Sequence, residues 1–218
     1  MMEQINVYCE RADFSFWAEP VNALTNLAFI LVALWALANR PKGGKSDWLV
    51  VVLAGLVALV GIGSFLFHTL ATRWAALADV LPITAFIYLF FFTVMVRLFR
   101  LHWALSLLAT AAFFLAARTS TPLFREIVGY SAGYVPPLIG MVGAGIALML
   151  ARRPAAGLLL AASGLFAVSL TFRILDGPTC GTFPFGTHFL WHLFNAMVLY
   201  TLLRAVMSPS AALERNSG

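Results

Sequence analysis

Charged side chains are scarce in this chain. Asp, Glu, Lys and Arg make up 11% of its 218 residues, while 61% are hydrophobic and the mean hydropathy is +0.90. Soluble globular domains carry roughly 45–50% apolar residues, and a soluble fold of this length would leave too much apolar surface unburied. A cleavable leader is also missing. Residues 1–20 contain Glu3, Glu10, Arg11, Asp13 and Glu19 and have no apolar stretch of the kind a leader needs. No internal repeat or low-complexity segment is evident. The sequence pI near 9.7 does not point to nucleic acid, because the basic residues sit in short loops between apolar runs. Basic loops of that kind are topology signals. The composition therefore indicates an all-α, polytopic membrane protein, with one helical bundle using the whole chain, 1–218, as a single domain.

A helix needs about 20 apolar residues to cross a bilayer. Seven stretches qualify: 21–38, 48–69, 79–97, 102–117, 133–150, 155–172 and 187–206. Residues 1–20 form an N-terminal segment and 207–218 a short C-terminal tail. Pro20 suits the first helical position, where its missing N–H has no partner to lose. With the N-terminus outside, the inner face holds Arg40, Lys42, Lys45, Arg97, Arg100, Arg152, Arg153, Arg204 and Arg215. The outer face holds only Arg11, Arg73, Arg118, Arg125 and Arg173. That bias predicts N-terminus out and C-terminus in.

This orientation gathers the polar chemistry. His68 falls at the outer end of the second span, Asp79 at the outer start of the third, and His188 and His192 at the outer start of the seventh. Only His102, of the four histidines, is on the other face. His188 and His192 are spaced i, i+4, which places both imidazoles on one helix face within reach of one metal ion. With Trp191 between them, the same segment also reads as an interfacial aromatic belt with hydrogen-bonded histidines. Ser64 and His68 share the same spacing. His68 is a candidate third ligand, and three histidines with an open fourth position make a catalytic zinc geometry. Ser64 alternatively fills a small-residue packing seam with Gly61 and Gly63. Asp79, shortly before Pro82, alternatively caps a helix. Cys9 and Cys180 both fall outside, where two thiols read either as a disulfide or as free groups. Glu10, Asp13 and Glu19 are hard oxygen donors suited to calcium, or members of an ordinary solvated loop.

Taken together these residues resemble the alkaline ceramidases, which belong to a wider superfamily of seven-helix membrane hydrolases that includes the adiponectin/progestin-type receptors. The resemblance rests on Ser64-x-x-x-His68, on Asp79, and on His188-x-x-x-His192 at the start of the last span. It also rests on an N-terminal segment with Tyr8-Cys9-Glu10 and Phe16-Trp17-Ala18-Glu19-Pro20-Val21-Asn22. It implies hydrolysis of the amide of ceramide or a related N-acyl lipid into fatty acid and amine. Zinc would be held by His68, His188 and His192. Asp79 would take a proton from the attacking water, and Ser64 would hydrogen-bond the oxyanion or the water. A Cys9–Cys180 disulfide is implied as well, as is calcium in the N-terminal loop, where Glu10 and Glu19 match. Two positions depart from the calcium pattern. Asn6 or Val7 stands where an aspartate is expected, and Ala12 where an asparagine is, leaving Asp13 as the substitute. The alternative function is a seven-helix lipid receptor with a structural zinc and no turnover. The expected partners are the bilayer and its lipid substrate. The shortness of the chain points to a bacterial inner membrane, with the site near the periplasmic face.

Overall fold

The computed structural model describes residues 1–40 and 48–208. The basic positions Lys42, Lys45 and Arg215, and the expected tail beyond Ser208, lie outside the described residues. Eight α-helices follow one another: α1 (Pro20–Thr25), α2 (Leu27–Asn39), α3 (Trp48–Leu70), α4 (Arg73–Arg97), α5 (Trp103–Val128), α6 (Val135–Leu150), α7 (Ala156–Thr179) and α8 (His188–Met207). A single 3₁₀ stretch, Gly129–Tyr134, joins α5 to α6. Among the described residues there is no strand, only an isolated antiparallel bridge between Gln4 and Thr72.

Six helical runs are long and apolar enough to cross a membrane. One of them, Trp103–Leu150, takes in both α5 and α6. A Cβ on Gly140 of α6 would meet the Phe113 ring of α5 at 3.0 Å, so the two helices lie side by side and the chain reverses between them. Gly129, at φ +55°, stands where that reversal begins, in a backbone region glycine enters without steric cost.

Two expected boundaries shift. α1 and α2 continue one another across Asn26, whose side-chain amide donates to the carbonyl of Asn22 at 2.8 Å and so supplies a donor inside the break. The third span starts not at Asp79 but at Arg73, after Thr72 in extended conformation. Asp79 therefore does not cap a helix; it sits well inside α4. Pro82 lies inside the same helix. Having no N–H, it leaves the Ala78 carbonyl without its intrahelical donor. That carbonyl lies directly against Gly63 of α3, leaving no space for a Cβ there. The neighbours of this contact along the chain are Ser64 and Asp79, so the close approach of α3 and α4 sets those two side chains beside each other.

The buried core runs between α2, α3, α4, α7 and α8, with Val50, Leu53, Val57, Leu159 and Leu203 almost fully enclosed. Large apolar side chains of α5, among them Leu107, Leu108, Leu115 and Leu123, face outward. An outward apolar face of that kind is what lipid contact requires.

The N-terminal segment crosses one end of the bundle as a strap. Ile5 N–H donates to the Ala71 carbonyl at 2.7 Å, and Arg73 N–H to the Glu3 carbonyl at 3.0 Å, which fixes the strap to the α3–α4 turn. Cys9 and Cys180 form a disulfide, with Cα atoms 5.1 Å apart, which fixes it to the loop before α8.

Candidate metal centre

His68 lies near the end of α3, while His188 opens α8 and His192 follows one turn later. All three are at least 98% buried. Their ring centroids are 5.2, 4.8 and 4.7 Å apart, and one nitrogen from each lies within 4.8 Å of the others. The two spans that carry these histidines, α3 and α8, therefore meet at the level the sequence predicts.

Each ring has a neighbour outside the cluster, which for His68 and His192 is a polar partner at Nδ1. His68 Nδ1 is 2.5 Å from Glu19 Oε2. His192 Nδ1 is 2.9 Å from the Thr25 hydroxyl. Tyr8 stacks on His188 with centroids 3.8 Å apart. Burial pushes the Tyr8 phenol up to about 12, against the opposing pull of Arg173, so it stays neutral. In contrast, His68 Nε2 and His188 Nδ1 are buried and have no hydrogen-bond partner. Buried polar atoms without partners are costly. Three imidazoles with nitrogens within mutual reach, two of them partnerless, can hold a metal ion, and the nitrogen donor set suits zinc. A carboxylate on the far nitrogen of a metal-ligating histidine is the usual way that ring is aligned.

Ser64 and Asp79 flank this cluster. Ser64 is buried, and its hydroxyl is a hydrogen-bond partner of the Asp79 carboxylate. Both residues, with His192, line the polar end of a largely apolar cavity that is partly open to the surroundings. Its walls include Phe86, Phe90 and Val94 of α4, Phe113 of α5 and Leu202 of α8. From Asp79 to Val94 the cavity follows about 22 Å of the α4 axis, at 1.5 Å per residue.

The expected calcium donors do not assemble. Glu19 Oε1 accepts from Arg11 Nε, and its other oxygen serves His68 and, at 3.1 Å, the Asn22 amide. Glu10 accepts the N–H groups of Val21 and Asn22 at 2.7 and 2.8 Å, at the start of α1. Asp13 accepts from Ser15 N–H at 2.8 Å and is exposed. Each carboxylate is engaged separately, and the one cation among them is the guanidinium of Arg11. The placement of Glu10, Asp13 and Glu19 thus does not support the calcium site that the resemblance implied.

Sequence reasoning missed four supporting residues. Asp176 of α7 is buried and accepts the N–H groups of Cys9, Thr187 and His188 at 3.1, 2.8 and 2.9 Å. It caps α8 from another helix, so no local cap pattern marks it. Thr25 stands 167 positions from the ring it orients. Arg173 lies 5.3 and 5.2 Å from the Tyr134 and Trp191 ring centroids and donates to the Tyr8 hydroxyl at 3.2 Å. Arg11 carried a signal: a basic residue inside a loop otherwise read as a cation site.

These features define a class, a helical protein with a buried three-histidine cluster able to hold a metal ion, beside the polar end of an apolar cavity. A protein-family model described as Ceramidase matches residues 6–217, and the chain belongs to that family. None of the curated proteins compared with the chain matches it. Family membership implies a lipid substrate and a hydrolase acting on amide bonds.

Proposed function

We propose that the protein is a zinc-dependent intramembrane amide hydrolase that cleaves ceramide or a related N-acyl lipid into fatty acid and amine. The observation that carries this reading is the cluster of three buried imidazoles, two of them with partnerless nitrogens, which reaches the polar end of an apolar cavity through His192. His68, His188 and His192 are the zinc ligands. A zinc ion held there supplies Lewis acidity toward the amide carbonyl and lowers the pKa of a water molecule to about 7.

The rest of the work falls to the chain's own residues. The apolar walls take the acyl chain and exclude water from it. Asp79 removes the proton of the attacking water and passes it to the departing nitrogen as the C–N bond breaks. The single Ser64 hydroxyl proton is donated to Asp79 at rest and to the oxyanion once Asp79 has taken up the water's proton. Glu19 and Thr25 hold His68 and His192 in the orientation that keeps their inner nitrogens convergent.

The bundle, one domain over 1–218, crosses the membrane seven times when α5 and α6 are counted separately. Its N-terminus and metal site lie outside and its C-terminus inside, in a bacterial inner membrane with the site toward the periplasm. The disulfide supports this orientation, since such bonds persist in oxidising compartments.

The test compares wild type with His192→Ala in one set of preparations, measuring zinc content and fatty-acid release from a panel of N-acyl lipids. About one zinc per chain with release, both lost in the variant, is the expected result. Well-folded wild type without zinc overturns the reading. Zinc with no release from any lipid favours the receptor alternative.

A further inference from the structure

We propose that Arg11 is a built-in cation that holds the metal centre together in place of a divalent ion, so that this protein positions His68 without calcium. The proposal rests on the function given above for what His68 does, and on geometry for the rest.

The Arg11 side chain is fully enclosed, and the residue as a whole is 4% exposed. Its guanidinium is ringed by oxygen. Nε donates to Glu19 Oε1, Nη1 donates to the Asp13 carbonyl at 3.1 Å, and Nη2 donates to the His68 carbonyl at 2.7 Å. These acceptors come from the strap, from the residue before α1, and from the end of α3. One carboxylate and two carbonyls make a hard oxygen set of the type calcium prefers. Here a fixed charge already occupies it. A divalent ion at the same oxygens would meet the guanidinium at contact distance, while the Glu10 carboxylate is committed to Val21 and Asn22 and that of Asp13 is exposed and accepts from Ser15 N–H.

The arrangement reaches the metal site by two routes. Through Glu19, Arg11 pins the carboxylate whose other oxygen is 2.5 Å from His68 Nδ1. Through its bond to the His68 carbonyl it pins the backbone of the same residue. Ring and backbone of one ligand are thus both referred to a single cation. Arg11 touches neither a substrate nor the metal-facing nitrogens, so it is a positioning residue. Arginine suits this role because it stays charged under all ordinary conditions and its planar fork serves several acceptors at once. Lysine keeps the charge but not the fork.

The experiment uses the full chain in detergent and two readouts besides activity. These are zinc affinity, by competition with a chromophoric chelator, and melting temperature, each measured in calcium-depleted buffer and again with millimolar CaCl₂. Wild type is expected to show the same zinc affinity and melting temperature in both buffers. Arg11→Ala is expected to lose about 10–100-fold in zinc affinity, the usual consequence of removing an outer partner of a metal ligand, and to melt lower. Arg11→Lys should lose less. Glu19→Gln should lose a similar amount, and the double variant Arg11→Ala/Glu19→Gln should be no worse than the worse single one, because the two residues act as a unit. Should Arg11→Ala fail to fold, the lysine and glutamine variants carry the comparison. A calcium-dependent rise in either readout for wild type overturns the proposal, as does an Arg11→Ala protein with wild-type affinity. If wild type binds no zinc, the function above falls, and the melting data alone decide this proposal. Calcium indifference with a lowered Arg11→Ala melting temperature then supports it, and a calcium-dependent rise overturns it.

Discussion

Asp79 and His68 lie in the same layer of the bundle but have separable jobs, and single substitutions distinguish them. Asp79→Asn keeps the shape and the hydrogen bond from Ser64 but cannot take a proton. Turnover should fall about 10²–10⁴-fold, the range that a positioned base contributes, while zinc content stays at the wild-type level. His68→Ala removes a ligand and should lose metal and turnover together. Metal analysis beside a turnover assay checks both, and normal turnover in Asp79→Asn would remove that residue from the mechanism. At this scale the sequence was informative where spacing was local. His188 and His192 sit one turn apart, so helix periodicity alone puts them on one face. It was uninformative where a partner came from far away. Nothing near Glu19 signals that its carboxylate reaches His68, 49 positions on. Glu19 looked instead like one of three acids in a cation-binding loop, and Arg11 like one more outer basic residue.

Between helices the decisive contact is Gly63 against the Ala78 carbonyl. Gly63→Ala places a methyl group where backbone already stands, and backbone cannot swing away as a side chain can. α3 and α4 must separate, which moves Ser64 and His68 away from Asp79. Overpacking of this kind costs about 1–3 kcal/mol, and small displacements of catalytic groups are expensive in rate. Gly164→Ala in α7 is the matched control, because a Cβ there meets nothing within 4 Å. The expected outcome is a lower melting temperature and reduced turnover for Gly63→Ala, with Gly164→Ala unchanged or slightly more stable. Equal behaviour of the two would mean that the α3–α4 contact does not set the site. The sequence reading placed Gly63 in a packing seam but missed its partner, because it began the third span at Asp79. An aspartate followed closely by proline resembles a helix start. Instead Pro82 interrupts a helix already under way, and the carbonyl it frees is the one that packs on Gly63. The caps show the same limit: Asp176 serves α8 from α7. Asp176→Asn keeps the oxygen acceptor but loses its charge, and should weaken three bonds to backbone N–H groups at once. A loss of about 1–3 kcal/mol is expected, read as a lower melting temperature with the disulfide intact.

For the molecule as a whole, two independent features support the proposed orientation of the bundle. The strap, the disulfide and the three histidines gather at one end. Arg40, Arg97, Arg152, Arg153 and Arg204 lie at helix ends and turns that the alternating chain direction carries to the other. An excess of positive charge on that second end is what the proposed inner face requires, and a disulfide on the strap is what the proposed oxidising side allows. Wild type has no free cysteine among its two, so single added cysteines report on sidedness without background. Ser15→Cys puts a thiol on the exposed strap, and Ala151→Cys puts one at the exposed turn between α6 and α7. On intact cells a membrane-impermeant maleimide should label Ser15→Cys and leave Ala151→Cys untouched until the membrane is opened. Both variants should keep fatty-acid release, since neither position touches the metal centre or the cavity. The reverse pattern would put the strap and the site on the reducing side, and the positive-charge bias would then have been misread. Labelling of both thiols from outside would mean that the number of crossings between residues 15 and 151 is even. In that case α5 and α6, although packed as a hairpin, do not each count as a separate crossing in the way proposed.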